Sequence, residues 1–208
     1  MLIKDGMTVL FIGDSITDCG RREDPNEMGN GYAMRIASNF MARYPHLNVK
    51  FMNRGIGGDT VRMLSDRWNE DCLALKPDIV SILIGINDTW RRYEGVMEHT
   101  TTESFKSTYH DILTQVKEKT TAQLVILEPF LLHYPKERAK FREDLDPKIQ
   151  AVRELAREFG AIYIPLDGMF AAAATQKPSE EWADDGVHPT QAGHALIADA
   201  WLDSIQKF

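Results

Sequence analysis

The residues best suited to chemistry are Ser15, near the N-terminus, and the pair Asp185 and His188, near the C-terminus. An aspartate three positions ahead of a histidine can turn its carboxylate onto the imidazole Nδ1, fix the tautomer and leave Nε2 free to accept a proton. A serine hydroxyl beside that nitrogen becomes a nucleophile. Acyl transfer also needs donors aimed at the oxyanion that develops on the attacked carbonyl. The backbone N–H groups of Ser15 and Gly58 and the side-chain amide of Asn87 are candidates, and glycine at 58 lets the backbone approach a substrate closely. In this reading Ser15 attacks, His188 carries the proton and Asp185 orients His188. Each fragment also has an ordinary structural reading. Asp14, Ser15, Thr17 and Asp18 are helix-capping types, and an Asp-x-x-His pair beside a helix start can be a cap.

The elements that must position these groups follow from periodicity. Val9-Leu10-Phe11-Ile12 is apolar without alternation, as in a strand covered on both faces, and it breaks at Gly13-Asp14-Ser15. Val49-Lys50-Phe51-Met52 and Asp78 to Ile84 read as further strands, ending in the glycine-rich Asn53–Thr60 and in Gly85-Ile86-Asn87-Asp88. Leu124 to Leu127 and Ala161 to Pro165 complete five. Between them, helical spacing runs over Tyr32 to Tyr44, over Val61, Leu64, Trp68, Leu73 and Leu75, over about Thr102 to Lys119, over Lys148 to Phe159 with Gly160 as C-cap, and onward from Thr190. Alternating strands and helices predict an α/β protein with a parallel five-stranded sheet covered on both faces. Ligands of such sheets sit beyond the strand carboxyl ends, where Ser15, Gly58 and Asn87 converge. The loop Asp18–Gly31, with Arg21, Arg22, Glu23 and Asp24 read as solvated, is a candidate wall of that cleft.

A chain of 208 residues with 43% hydrophobic and 26% charged residues suits one globular domain spanning 1–208. The net charge of −7, without a basic cluster, disfavours nucleic acid and anionic membranes as partners. No apolar run approaches the ~18 residues of a membrane span, and residues 1–6 lack the apolar stretch of a secretory signal. Cys19 and Cys72 form no metal-binding or redox spacing, so both are expected as free thiols in the cytoplasm. Oligomeric state, a homo-oligomer included, is left open. Cys19 lacks a separate base. His188 and His194 with Asp184 match no metal motif, so no metal or other cofactor is expected. Gly55, Gly57 and Gly58 are not followed by the Gly-Lys-Ser/Thr of a phosphate loop. Thr17 stands where a G-x-S-x-G elbow needs its second glycine, which speaks against an α/β-hydrolase.

Four blocks occur in order: Gly13-Asp14-Ser15-Ile16, Asn53 through Thr60, Gly85-Ile86-Asn87-Asp88 and Asp185-Gly186-Val187-His188-Pro189. Together they resemble the SGNH (GDSL-type) esterases and lipases across nearly the whole chain, with Ile16 where leucine is commoner. The resemblance implies a flavodoxin-like three-layer fold and metal-free ester hydrolysis. It also implies that Ser15, Gly58, Asn87 and His188 take the family's four named roles and Asp185 completes the triad. A narrower likeness, in Gly13 to Arg21 and Gly85 to Tyr93, is to intracellular acetyl-xylooligosaccharide esterases and suggests deacetylation of short sugars. Asp14, Trp90 and Trp182 are substrate-binding candidates, the indoles being able to stack on a sugar or to pack in the core. A lipase or acyl-thioesterase for longer chains is the second reading, and a binding protein with a decayed site the third.

Overall fold

The computed structural model describes residues 2–95 and 100–206. In chain order its elements are β1 (Thr8–Gly13), α1 (Ser15–Asp18), α2 (Tyr32–Arg43), β2 (Lys50–Gly55), α3 (Val61–Asp66), α4 (Trp68–Asp71), β3 (Ile79–Leu83), α5 (Ile86–Tyr93), α6 (Thr102–Lys119), β4 (Gln123–Leu127), α7 (Arg142–Glu158), β5 (Ile162–Ile164), α8 (Leu166–Ala174) and α9 (Gln191–Gln206). The five strands pair in parallel in the order β2-β1-β3-β4-β5. This is the flavodoxin-like doubly wound order, whose reversal between β1 and β3 opens a crevice at the strand carboxyl ends.

Strand pleating explains the two-sided core. Val9 and Phe11 of β1, Ile79 and Leu83 of β3, and Val125 and Leu127 of β4 face one layer, where they meet Ile36 and Phe40 of α2 and Ile197 and Trp201 of α9. Leu10, Ile12, Val80, Ile82, Leu124 and Ile126 face the other, against Leu64 of α3, Tyr109 and Ile112 of α6 and Val152 of α7. Neither face of the central strands sees water, which accounts for their lack of polar alternation. The buried hydroxyl of Ser81 accepts a hydrogen bond from Trp201 Nε1 at 3.0 Å. No described helix is long and apolar enough to cross a membrane.

Four expectations need correction. The helix expected from Lys148 starts at Arg142 and carries Pro147 inside it. Its charged first turns are held by ion pairs of Arg142 with Asp146 and Asp167 and of Lys148 with Asp144, while Leu145 is buried. The helix expected from Val61 to Leu75 breaks at Arg67, and a 3-10 turn covers Leu73–Leu75. At the break the Arg67 guanidinium bonds Asp59, Asp71 and the carbonyls of Gly13 and Arg54. Helices α5 and α8 had not been expected. Finally, the loop after α1 is no free wall: Arg21 is buried and its Nε donates to the Gly55 carbonyl at 2.6 Å.

Asn53 pins that loop to the sheet. Its Nδ2 donates to the carbonyls of Thr17 at 2.6 Å and Met28 at 3.0 Å, while Oδ1 accepts from Gly55 N–H at 2.8 Å. Gly55 follows from the same packing, since a Cβ there would lie 2.2 Å from the Asp18 nitrogen. Removing the amide strands three buried backbone groups. Asn53→Ala should therefore cost about 2–3 kcal/mol in urea unfolding, and a loss near zero would show that the loop is held by other means.

Candidate active site

Ser15 is the first residue of α1, at the end of central strand β1, and Asp14 caps this helix by accepting from Ile16 N–H at 3.0 Å. His188 arrives from the loop before α9. Asp185 shapes that loop: Oδ1 accepts the backbone N–H groups of Val187 at 3.0 Å and His188 at 2.9 Å. Its other oxygen, Oδ2, lies 3.0 Å from His188 Nδ1, and Nε2 on the far side of the ring lies 3.0 Å from Ser15 Oγ. Because Oδ2 accepts from Nδ1–H, Nε2 of the neutral ring can take the serine proton. Burial opposes ionisation of Asp185, but the bonds from the His188 ring and from the two backbone N–H groups outweigh it and hold the carboxyl well below the usual carboxylate range. The same bond from Asp185 raises the His188 imidazole above its ordinary value, against burial that would lower it.

The glycine loop between β2 and α3 is tied on several sides. Gly57 N–H donates to Asp18 Oδ2 at 3.0 Å, Ile56 N–H to the Gly13 carbonyl at 3.0 Å, and Val61 N–H to Asp88 Oδ2 at 3.0 Å. Asn87, in the first turn of α5, donates one amide N–H to the Asp59 carbonyl at 3.0 Å, which leaves the second available. Among the described residues neither Ser15 N–H nor Gly58 N–H donates to a protein acceptor. Gly58 has φ +83°, and nothing lies within 4 Å of a Cβ built on it. Within the protein itself, the backbone angle is what calls for glycine there.

Ser15, Gly58, Asn87, Trp90, Arg91, Glu94 and His188 line one pocket of about 450 Å³. The three strand ends thus meet as expected, and Ser15, Gly58, Asn87 and His188 face a shared space. Trp90 is one wall. Its indole N–H donates to Glu94, its ring centre lies 6.1 Å from that of His188, and the Arg138 guanidinium lies 3.7 Å over its face. Arg91 bridges to the Gly58 carbonyl at 3.2 Å. Arg91 and Glu94 were missed in the sequence. With Asn87 and Trp90 they stand at i, i+3, i+4 and i+7, a single face of α5 that becomes visible once this segment is known to be helical. Nothing local marks Arg138, which comes from the 3-10 turn Lys136–Phe141.

Two proposed substrate contacts are corrected. Asp14 is 1% exposed and lies beneath the pocket as a cap; burial pushes its carboxyl up to about 7. Trp182 packs against the core beside α9 and does not line the pocket. The discounted groups have structural roles. His194 Nδ1 accepts from Tyr32 N–H at 3.1 Å, and its Nε2 lies 3.4 Å from Cys19 Sγ, which donates to Asn30 at 2.9 Å. Cys19 therefore does have an imidazole beside it. Burial nevertheless raises the thiol and lowers His194 to about 4, which favours the neutral form of both. Among the described residues, no group of three or more His, Cys, Asp or Glu is placed to hold a metal.

The GDSL-like Lipase/Acylhydrolase family model matches residues 11–196. The chain is 35% identical to an acetylxylan esterase of Geobacillus stearothermophilus over 99% of its own length and 96% of the relative. A solved structure of an acetyl-xylooligosaccharide esterase from that organism superposes with a TM-score of 0.90 at 33% identity, covering 99% of this chain and 96% of the other. A GDSL-like protein of Parabacteroides merdae ATCC 43184 gives 0.92 at 36% identity, covering 98% and 97%.

Asp14 also sets a pH dependence of stability. Its carboxyl titrates at about 7 in the folded chain, above ~3.9 when unfolded. The folded state therefore holds a proton that the unfolded state releases, and stability falls as pH rises from about 4 through about 7. Asp14→Asn should keep the cap and remove that slope, gaining about 2 kcal/mol or more over the parent at pH 8 and nothing at pH 4. Equal stability at both pH values would contradict the burial argument. The four blocks, the shared pocket and the matching relatives agree: the chain belongs to the GDSL-like lipase/acylhydrolase family and is a carboxylic ester hydrolase.

Proposed function

We propose that the protein is a serine esterase that removes acetyl groups from short acetylated xylooligosaccharides in the cytoplasm, through an acetyl-enzyme. The observation that carries this reading is the unbroken line of contacts from Asp185 through His188 to Ser15, ending in the pocket that also holds Gly58 and Asn87. Ser15 Oγ attacks the acetyl carbonyl carbon as its proton passes to His188 Nε2. The oxyanion is met by the N–H groups of Ser15 and Gly58 and by the free N–H of the Asn87 amide. Collapse breaks the bond to the sugar oxygen, which takes the proton from His188. Water then gives a proton to His188 and attacks the acetylated serine, and acetate leaves as the proton returns to Ser15.

The sugar ester is supported by the nature of the walls and by the named relatives. Trp90 offers an aromatic surface, while Arg91 and Glu94 offer charge-assisted hydrogen bonds next to the nucleophile. A long acyl chain would have to displace water from those charges and return nothing. Free thiols at Cys19 and Cys72 suit a reducing compartment.

Acetate release should be fast from acetylated xylooligosaccharides, and p-nitrophenyl esters should be cleaved with a steep preference for acetate over octanoate. The reverse preference would indicate a lipase or thioesterase. Asn87→Ala should lower kcat by roughly 10²–10³, and a loss below tenfold would remove the amide from the oxyanion site. Since the imidazole must be neutral to act, kcat/KM should rise with pH through a midpoint above ~6.5. A profile flat from pH 5 to 9 would contradict His188 as the base.

A further inference from the structure

The 3-10 turn Lys136–Phe141 lies across α5 beside the pocket. Phe141 stacks on Tyr93 with ring centres 4.4 Å apart and meets the Trp90 ring edge-on at 5.9 Å, while Tyr93 Oη donates to the Lys140 carbonyl at 2.7 Å. Arg138 occupies the middle of this turn and makes two contacts, one to Trp90 and one to Asp185. Its guanidinium carbon lies 3.7 Å from the centre of the Trp90 ring, a cation–π arrangement, and its Nη2 is 3.5 Å from Asp185 Oδ2. That oxygen is the one that holds His188 Nδ1. Its side chain is 18% exposed, so the charge is only partly screened.

We propose that Arg138 is a positioning residue that fixes the Trp90 wall to the carboxylate of Asp185 and, by its charge, limits how strongly that carboxylate draws a proton onto His188. The proposal rests on the esterase reading of this pocket for its effect on substrate, but not for its effect on the imidazole. Trp90 is held on both sides, by Glu94 at its N–H and by Arg138 on its face. A wall held in this way presents one fixed surface to a sugar at little ordering cost. The titratable and charged groups facing His188 come from three places: Asp185 in its own loop, Asp14 from the turn after β1, and Arg138 from the 3-10 turn. Arg91 and Glu94 of α5 share the pocket. Asp185 favours the imidazolium, as does Asp14 once it is ionised, and Arg138 is the cation set against them, which keeps the imidazole available as a base at a lower pH than Asp185 alone would allow.

Two variants of the full chain test this: Arg138→Gln, which keeps a planar amide but no charge, and Trp90→Leu, which keeps the charge but removes the ring that holds it. The His188 ring protons are followed by NMR against pH, with the resonance identified by its loss in His188→Asn. Circular dichroism establishes that each variant is folded. In both variants the His188 midpoint should rise by about half a unit or more, and KM for an acetylated xylooligosaccharide should rise several-fold, more than for p-nitrophenyl acetate. A folded Arg138→Gln or Trp90→Leu protein whose midpoint stays at the parent value would overturn the electrostatic role. Unchanged KM for the sugar ester in both would overturn the role in the wall. A shifted midpoint in a protein that cleaves no acetate ester would support Arg138 as the tuner of His188 and instead defeat the esterase reading.

Discussion

The carboxylate of Asp185 accepts three hydrogen bonds within four residues of chain, two from backbone N–H groups and one from the His188 ring. The backbone bonds shape the turn and the ring bond fixes the imidazole, so the same two oxygens determine both where His188 stands and which nitrogen faces outward. Nothing else in the site is so locally determined. Every other group must be brought to that outward nitrogen by the fold, beginning with a serine 173 positions earlier in the chain.

The sheet does this by order and register. β1 lies between β2 and β3, so the residues that follow these three strands come out side by side at the crevice where the winding reverses. Two apolar layers hold the strands, which makes their carboxyl ends a rigid rim on which polar side chains can be carried without loss of the core. The loops are then tied to one another rather than to solvent: Asn87 to Asp59, Arg91 to Gly58, Asp18 to Gly57. Donors fixed in this way need little reorganisation when charge develops beside them.

Much of this was legible in the sequence, for physical reasons that also explain the failures. The central strands are buried on both faces, so their apolar runs are continuous and stand out. The Asp185 and His188 turn is local, so its spacing carried its geometry. Helix α5 was missed because polar residues replace the apolar stripe by which a helix is recognised: Asn87 and Arg91 face the pocket, Asp88 is buried on Val61 N–H and Arg92 pairs with Asp144. The first two turns of α7 were missed for a similar reason, their charges being neutralised by partners elsewhere in the chain, such as Asp167 for Arg142. Asp14 adjoins Ser15, yet the strand-to-helix turn sends the two side chains different ways, one to the cap and one to the cleft. Arg138 had no signal at all, since its meaning lies in two contacts across the fold, to Trp90 and Asp185.

The central claim is that Ser15 is the nucleophile and His188 activates it. Incubation with an alkyl p-nitrophenyl phosphonate, followed by mass spectrometry of the digested chain, tests it directly. A stoichiometric adduct on the peptide holding Ser15, absent in Ser15→Ala and formed far more slowly in His188→Ala, is the predicted result. An adduct that persists in Ser15→Ala, or that forms as fast without His188 as with it, would contradict the account.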